Sequence, residues 1–178
     1  DTSRTGLPMD MGNPAGAYLE FALGAGAMMH GDGEPYLSFA EWMRAGEPTM
    51  DDWGFHLTTL FPEVRPRGYF ELRSADAIEP EHLAAPISFV VGLIYDEATA
   101  HTAADLLGSP DAGALETAGR AGLADPAIRE TAIELTNLGL AGCESLGDDY
   151  ISVADLDSAA AFFDQYTRQG RAPGDDWS

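Results

Sequence analysis

All nine basic residues of the chain are arginine, and three of them, Arg65, Arg67 and Arg73, fall within nine consecutive positions. In a chain with 30 acidic residues and a formal net charge of −21, such local enrichment calls for a cause. Guanidinium groups grip phosphate and carboxylate oxygens through paired hydrogen bonds, so the stretch reads as a focused anion site. Tyr69-Phe70-Glu71-Leu72-Arg73 alternates in polarity, and on a strand successive side chains face opposite sides. The pattern predicts Phe70 and Leu72 turned to the core, with Tyr69, Glu71 and Arg73 sharing the other face. Neighbours two apart on a strand lie roughly 6.5–7 Å from each other, so an acid and a base at that spacing can hold one ligand between them. The acid would act through a divalent cation and the base on a phosphate. The run before it predicts a second strand that puts His56 and Thr58 on one face. Alternating charge on an exposed strand also makes a plain salt-bridge ladder, and the spacing leaves both readings open.

These residues must be carried by a framework, and the sequence predicts an α+β one. Strands are expected near residues 55–61 and 68–73, paired antiparallel through a loop marked by Pro66 and Gly68. Asn13-Pro14 opens a helix expected to run to Met29, followed by a turn at Gly31-Asp32-Gly33. Ser38 and Glu41 have capping-box spacing and start a short helix that stops near Gly46. After Glu79-Pro80 the pattern is helical to the end. One long helix is expected to Leu107, another from Asp125-Pro126 to Leu146, and a third from Ser152 to Gln169.

With 178 residues and 45% hydrophobic content, the chain is expected to form a single domain, 1–178, with a real core. It has no apolar run long enough to cross a bilayer, and its surface charge repels nucleic acid and anionic membrane. A single cysteine, Cys143, excludes an internal disulfide and suits a cytoplasmic location. The sequence opens on Asp1 without an initiator methionine, which leads to the expectation of a processed, trimmed or split chain. The acidity itself fits a solvated coat for work at high salt. Self-repulsion at this net charge destabilises the compact state, and salt screens it beyond about 10 Å at 0.1 M. The melting temperature is therefore expected to rise with added potassium chloride; a flat or falling trend up to molar salt refutes the high-salt reading.

His56-Leu57-Thr58-Thr59-Leu60-Phe61-Pro62-Glu63-Val64-Arg65, followed by Arg67-Gly68-Tyr69-Phe70-Glu71-Leu72-Arg73-Ser74-Ala75-Asp76, closely resembles the signature of the plant and actinobacterial type of glutamate–cysteine ligase. Asp1-Thr2-Ser3-Arg4-Thr5-Gly6 resembles that family's D-x-x-R-T-G segment, Tyr18 to Leu23 its Y-x-x-(Y/F)-A-L helix, and Val91 to Glu97 its V-G-L-L-Y-D-E. The resemblance runs in register to about residue 108 and more loosely beyond. It implies a fold like the catalytic domains of glutamine synthetase and the guanidino kinases, with nucleotide, magnesium and substrates on the open face of an antiparallel sheet. It also implies an ATP-dependent ligation in which the γ-carboxylate of glutamate is phosphorylated and the cysteine amine then displaces phosphate. On this resemblance Glu71 is expected to ligate Mg2+ and Arg73 to contact ATP phosphate, with Arg65 and Arg67 supporting the anion site. Arg4 is expected to grip a substrate carboxylate, with His56, Tyr69 and Thr58 on the substrate side.

Two departures qualify what the resemblance implies. Where the family continues A-L-D-x-P, this chain has Ala22-Leu23-Gly24-Ala25-Gly26, so a ligase that joins glutamate to a different amine is an alternative. The glutamate-rich strands that supply most of the family's metal ligands belong to an N-terminal half that this sequence does not contain. The expected partner is therefore that missing half, as the same polypeptide or a separate chain. A truncated, non-catalytic binding or regulatory homologue is the remaining alternative.

Overall fold

The chain was described from a computed structural model, which covers residues 2–7, 10, 12–28, 37–75, 77–109 and 111–177. It divides into two units, Asp1–Ala75 and Asp76–Ser178. Among the described residues it is mainly helical with two small sheets, in keeping with the α+β class.

In the first unit, a short 3-10 turn, Thr2–Arg4, leads into β1 (Thr5–Gly6). Helix α1 (Pro14–Gly24) starts where the Asn13 side chain accepts from the Gly16 N–H. It ends at Gly24, short of the expected Met29, because Ala25 turns extended and the chain pairs away as a bridge between Gly26 and Ser38. Met29 and the expected turn at Gly31-Asp32-Gly33 lie outside the described residues.

Two capping boxes follow. Ser38 and Glu41 satisfy each other's backbone N–H groups and start α2 (Phe39–Ala45), which stops at Gly46 as expected. Thr49 and Asp52 repeat the device and start α3 (Met50–Thr58). The strand expected over residues 55–61 is corrected here. Its first residues finish a helix, because the cap fixes the first turn and Trp53 and Leu57, four apart, pack on Ala22, Ala25 and Leu60. His56 and Thr58 therefore do not share a strand face.

Extended structure begins only at β2 (Phe61–Pro62), which pairs in parallel with β1, Thr5 against Phe61 and Gly6 against Pro62. Next come β3 (Val64–Pro66) and β4 (Phe70–Leu72), antiparallel, with Val64 opposite Leu72, Arg65 opposite Glu71 and Pro66 opposite Phe70. The expected second strand is thus present, but its partner is β3. Gly68 sits in the link at φ +80°, a conformation that favours glycine.

The two faces of β4 are the reverse of the expected ones. Phe70 is 78% exposed and Leu72 44%, whereas Arg65, beside Glu71, is only 7% exposed. The charged face can turn inward because its groups pair with one another and with a backbone carbonyl, which offsets part of the cost of burying them.

The second unit is a helical assembly of α4 (Ala84–Tyr95), α5 (Glu97–Leu107), α6 (Ala112–Ala121), α7 (Pro126–Leu146) and α8 (Val153–Gln165). The single long helix expected to Leu107 is broken at Asp96, with a bend of 97°. Asp96 accepts from the Thr99 N–H at 2.8 Å and from the Ser145 hydroxyl at 2.9 Å, so it caps α5 and ties the corner to α7. These bonds hold its carboxyl below the ordinary range, that from the Thr99 N–H most of all. The starts of α7 at Asp125-Pro126 and α8 at Ser152 are as expected. Helix α6, opened by Asp111, was not foreseen.

Helix α4 packs on both α7 and α8. Ala85, Ala159 and Phe163 form the core there, joined by Phe89, Leu140 and Phe162. At the α4–α7 crossing the backbones meet through Gly92, Gly139 and Gly142. Cys143 is buried beside them and donates to the Ser88 carbonyl at 3.1 Å, its thiol pushed up in pKa by burial. Among the described residues, no single helix is long and apolar enough to cross a membrane.

Candidate functional site

The centre of the site is one carboxylate among three guanidiniums. Arg65 on β3 and Glu71 on β4 stand opposite in register, so their side chains leave the sheet on the same side. Arg73, two residues on from Glu71, joins that face by strand alternation. Its Nη1 lies 2.5 Å from Glu71 Oε1. The other oxygen, Oε2, is 3.3 Å from Arg67 Nε and 3.6 Å from Arg65 Nη1. Among the described residues, three cations meet one anion, which leaves the group positively charged within a strongly acidic chain.

The three arginines are held differently. Arg65 is buried and its Nη2 donates to the Leu60 carbonyl at 2.5 Å, which anchors it to the end of α3. Arg73 lies 5.3 Å over the Phe61 ring, a cation–π placement, and its backbone N–H donates to the Glu63 carbonyl. Arg67 is the most open, and its N–H donates to the Tyr69 carbonyl at 2.7 Å across the turn. Arg67 and Arg73 thus have donors within reach of an arriving anion, while Arg65 braces the group.

Tyr18 on α1 is an addition that the sequence reading did not assign. Burial raises its phenol pKa, and the charges of Arg65 and Arg67 pull it back down. The signal was its place in the Tyr18 to Leu23 segment, but nothing in that segment alone points at the arginines.

The other expected site residues are not drawn into the same group. Thr58 turns its hydroxyl back to the Phe55 carbonyl at 2.7 Å, as the last turn of a helix allows. Tyr69 is exposed on the turn between β3 and β4. His56 is buried, and its Nε2 meets the Ala22 carbonyl at 2.8 Å. Arg4 is half-buried and close enough to His56 to oppose a charge on its ring. The pairing of β1 with β2 brings the Arg4 segment alongside the residues that lead into Arg65.

The group fits phosphate well, since forked donors converge with charge to spare. For a divalent cation the fit is partial. Among the described residues, no three His, Cys, Asp or Glu side chains are grouped to hold a metal. Magnesium, however, takes only one or two carboxylates and completes its shell with phosphate and water. Glu71 Oε2, whose contacts with the arginines are the looser ones, suits that single place.

Three guanidiniums around one carboxylate, one of them buried and two more open, on a small antiparallel sheet make an arrangement that can receive an anion. The sequence model of glutamate–cysteine ligase family 2 (GCS2) matches residues 1–145, and the chain belongs to that family. It is 30% identical to the glutamate–cysteine ligase EgtA of Mycolicibacterium smegmatis over 191 aligned residues, covering 100% of this chain and 43% of the relative. It is 48% identical over 59 residues to the chloroplastic glutamate–cysteine ligase of Nicotiana tabacum, covering 33% of this chain and 11% of the relative. The chloroplastic ligase of Solanum lycopersicum is 43% identical over 77 residues, or 39% of this chain and 15% of that protein. The chain thus spans less than half the length of these relatives.

Proposed function

We propose that this chain supplies the C-terminal part of an ATP-dependent ligase that joins the γ-carboxylate of glutamate to the amine of cysteine. The observation that carries the reading is the arginine group around Glu71, with its surplus positive charge. Arg73 and Arg67 bind oxygens of the ATP phosphates, and Arg65 keeps Glu71 and the strand pair in place. Arg4 holds a glutamate carboxylate, with Tyr69 and Thr58 on the substrate side and His56 buried behind them.

The glutamate γ-carboxylate oxygen attacks the terminal phosphorus of ATP, the bond to the bridging oxygen breaks, and ADP leaves. The cysteine amine then attacks the acyl carbon of γ-glutamyl phosphate, phosphate departs, and the nitrogen loses its proton to solvent. Glu71 provides one ligand for Mg2+, which neutralises charge on the transferred group when bound. The arginines do the same work from the protein side, because charge on the phosphoryl oxygens grows against fixed donors. A glutamine synthetase-like sheet in a single catalytic domain, completed by an N-terminal half, suits this arrangement. So does a cytoplasmic setting, where ATP and reduced cysteine are both present.

The Gly24-Ala25-Gly26 stretch supports a second reading, in which the same chemistry serves a different acceptor amine. The test is ADP release with glutamate and cysteine, measured for this chain alone and with the N-terminal remainder of the ligase. Turnover is expected only for the combination, since much of the metal shell is supplied from outside the chain. Robust ligation by the chain alone overturns the division of the site. Turnover by the combination with another amine but not with cysteine selects the second reading.

A further inference from the structure

His56 is 3% exposed, and its Nε2 lies 2.8 Å from the carbonyl of Ala22. That carbonyl is one of the last four of α1, which have no partner inside the helix. An imidazole nitrogen facing a carbonyl must carry the proton, so the ring is the Nε2–H tautomer and Nδ1 is a bare acceptor. Nδ1 is buried and meets no hydrogen-bond partner among the described residues. The ring is packed against Phe39 and Trp53, with centroids 4.8 and 5.8 Å away, and borders a cavity of about 50 Å³ shared with Trp42 and Thr59.

The segment that His56 grips is held from two further directions. The Ala25 carbonyl accepts from the Phe39 N–H at 3.0 Å, and the Gly26 N–H donates to Ser3 Oγ at 3.1 Å. Ser3 immediately precedes Arg4. A continuous set of bonds therefore runs from the α3 ring, through the end of α1, to the turn that carries Arg4.

We propose that His56 is a positioning residue that works only as the neutral imidazole, clamping the Ala22–Gly26 segment and through Ser3 fixing the turn that presents Arg4. The assignment of Arg4 to a glutamate carboxylate rests on the ligase reading above; the clamp itself does not. A second proton on the ring would sit at Nδ1, buried and without an acceptor among the described residues. The charge of Arg4, from the N-terminal turn, opposes a charge on the ring. Asp52, one turn earlier on α3, lines the same cavity but accepts from the Thr49 N–H and hydroxyl. Glu41 on α2 is turned to Ser38 in the same way, and α1 presents its Ala22 carbonyl. Burial depresses the histidine pKa most of all, so the unfolded chain binds the proton first. The stabilisation that the neutral ring contributes is full above the ordinary histidine pKa of about 6.5 and falls as pH drops below it, while the folded ring itself stays neutral to lower pH.

The test uses the whole 178-residue chain and two variants, His56→Gln and His56→Ala. Gln keeps an N–H for Ala22 but cannot be protonated. Between pH 7 and 5 the unsubstituted chain is expected to lose about 4 °C or more of melting temperature relative to His56→Gln, a comparison that cancels the titration common to both. Exchange of the Gly26 amide is expected to quicken about tenfold or more in His56→Ala, with the rate restored by Gln. Imidazole nitrogen signals of the unsubstituted chain, which need no variant to fold, are expected to show a neutral Nε2–H ring at pH 6. A charged ring at pH 6, parallel pH profiles, or Gly26 exchange indifferent to the Ala substitution overturns the proposal. In the assembled ligase, His56→Ala is expected to raise the glutamate KM about tenfold with kcat little changed, and Gln to restore it. An unchanged KM overturns the link to Arg4. An assembled enzyme without turnover counts against the ligase reading alone, because the pH, exchange and nitrogen measurements still decide the clamp.

Discussion

Glu71→Gln is expected to cut ligation in the assembled enzyme by about two to three orders of magnitude, on the scale of losing a group that organises transition-state charge. The neutral amide keeps the shape of Glu71 but removes the counter-charge that Arg65, Arg67 and Arg73 share. Arg73 loses its closest partner and Arg67 is freed to wander, so the forked donors no longer converge on one anion. The change reaches stability as well. Arg65 is buried, so its charge is poorly screened by water, and loss of its partner is expected to cost about 1–3 kcal/mol. Arg73→Lys gives the contrast. It keeps the charge but loses the two-pronged grip, and is expected to weaken ATP binding about tenfold while leaving the magnesium requirement nearly unaltered. The measurements are ADP release against ATP and magnesium concentration, with melting curves alongside. Normal specific activity in folded Glu71→Gln protein would reduce the cluster to a structural ion pair.

Gly92→Ala is expected to be the most damaging small substitution in the second unit. A Cβ at this position lies 1.8 Å from the carbonyl oxygen of Gly139, and one at Gly142 lies 2.2 Å from that of Gly92. Both obstacles are backbone, which cannot swing aside as a side chain can. Helices α4 and α7 must separate, and the contacts on either side, from Phe89 to Leu140, open with them. The cost is expected to be about 3 kcal/mol or more, a fall of roughly 10 °C or more in melting temperature. Gly119→Ala on α6 is the control, since nothing lies within 4 Å of its added methyl group. There the gain in helix propensity is expected to stabilise by about 0.5–1 kcal/mol. Equal melting temperatures for the two variants would show that the helices do not meet at this crossing.

Local signals read well from the sequence where one short-range interaction decides the outcome. The Ser38–Glu41 box, the Asp125-Pro126 start and the Ser152 cap all need only residues three or four apart. The Thr49–Asp52 box is the same kind of signal, but the β-prone run that follows it argues for a strand over His56 to Phe61. The cap prevails because Trp53 and Leu57 bury on the helical period. The corner at Asp96 is hidden for the opposite reason: helix-forming residues continue past it without a proline or glycine, and the Thr99 and Ser145 bonds reveal the cap.

At the site, strand alternation correctly groups Glu71 with Arg73, because that depends on the backbone period alone. It says nothing of which group faces inward. That is settled by the Leu60 carbonyl, five residues before Arg65, and by the register that sets Arg65 against Glu71. The influence of Arg65 and Arg67 on Tyr18 and the bond of His56 to the Ala22 carbonyl span 34 or more residues, which no window along the chain can display.

The outward aromatic face of β4 bears on how copies of this chain treat one another. Phe70 and Leu72 flank a strand whose second edge pairs with no other strand among the described residues. Such an edge is a template for intermolecular pairing. What keeps copies apart is the long-range repulsion between bodies that each carry a formal charge of −21. Added salt shortens that repulsion between molecules over the same range in which it relieves crowded charge within each one. Conformational stability and colloidal stability are thus set in opposition along one axis. The ionic strength at which the fold is firmest is also where its open edge is least protected.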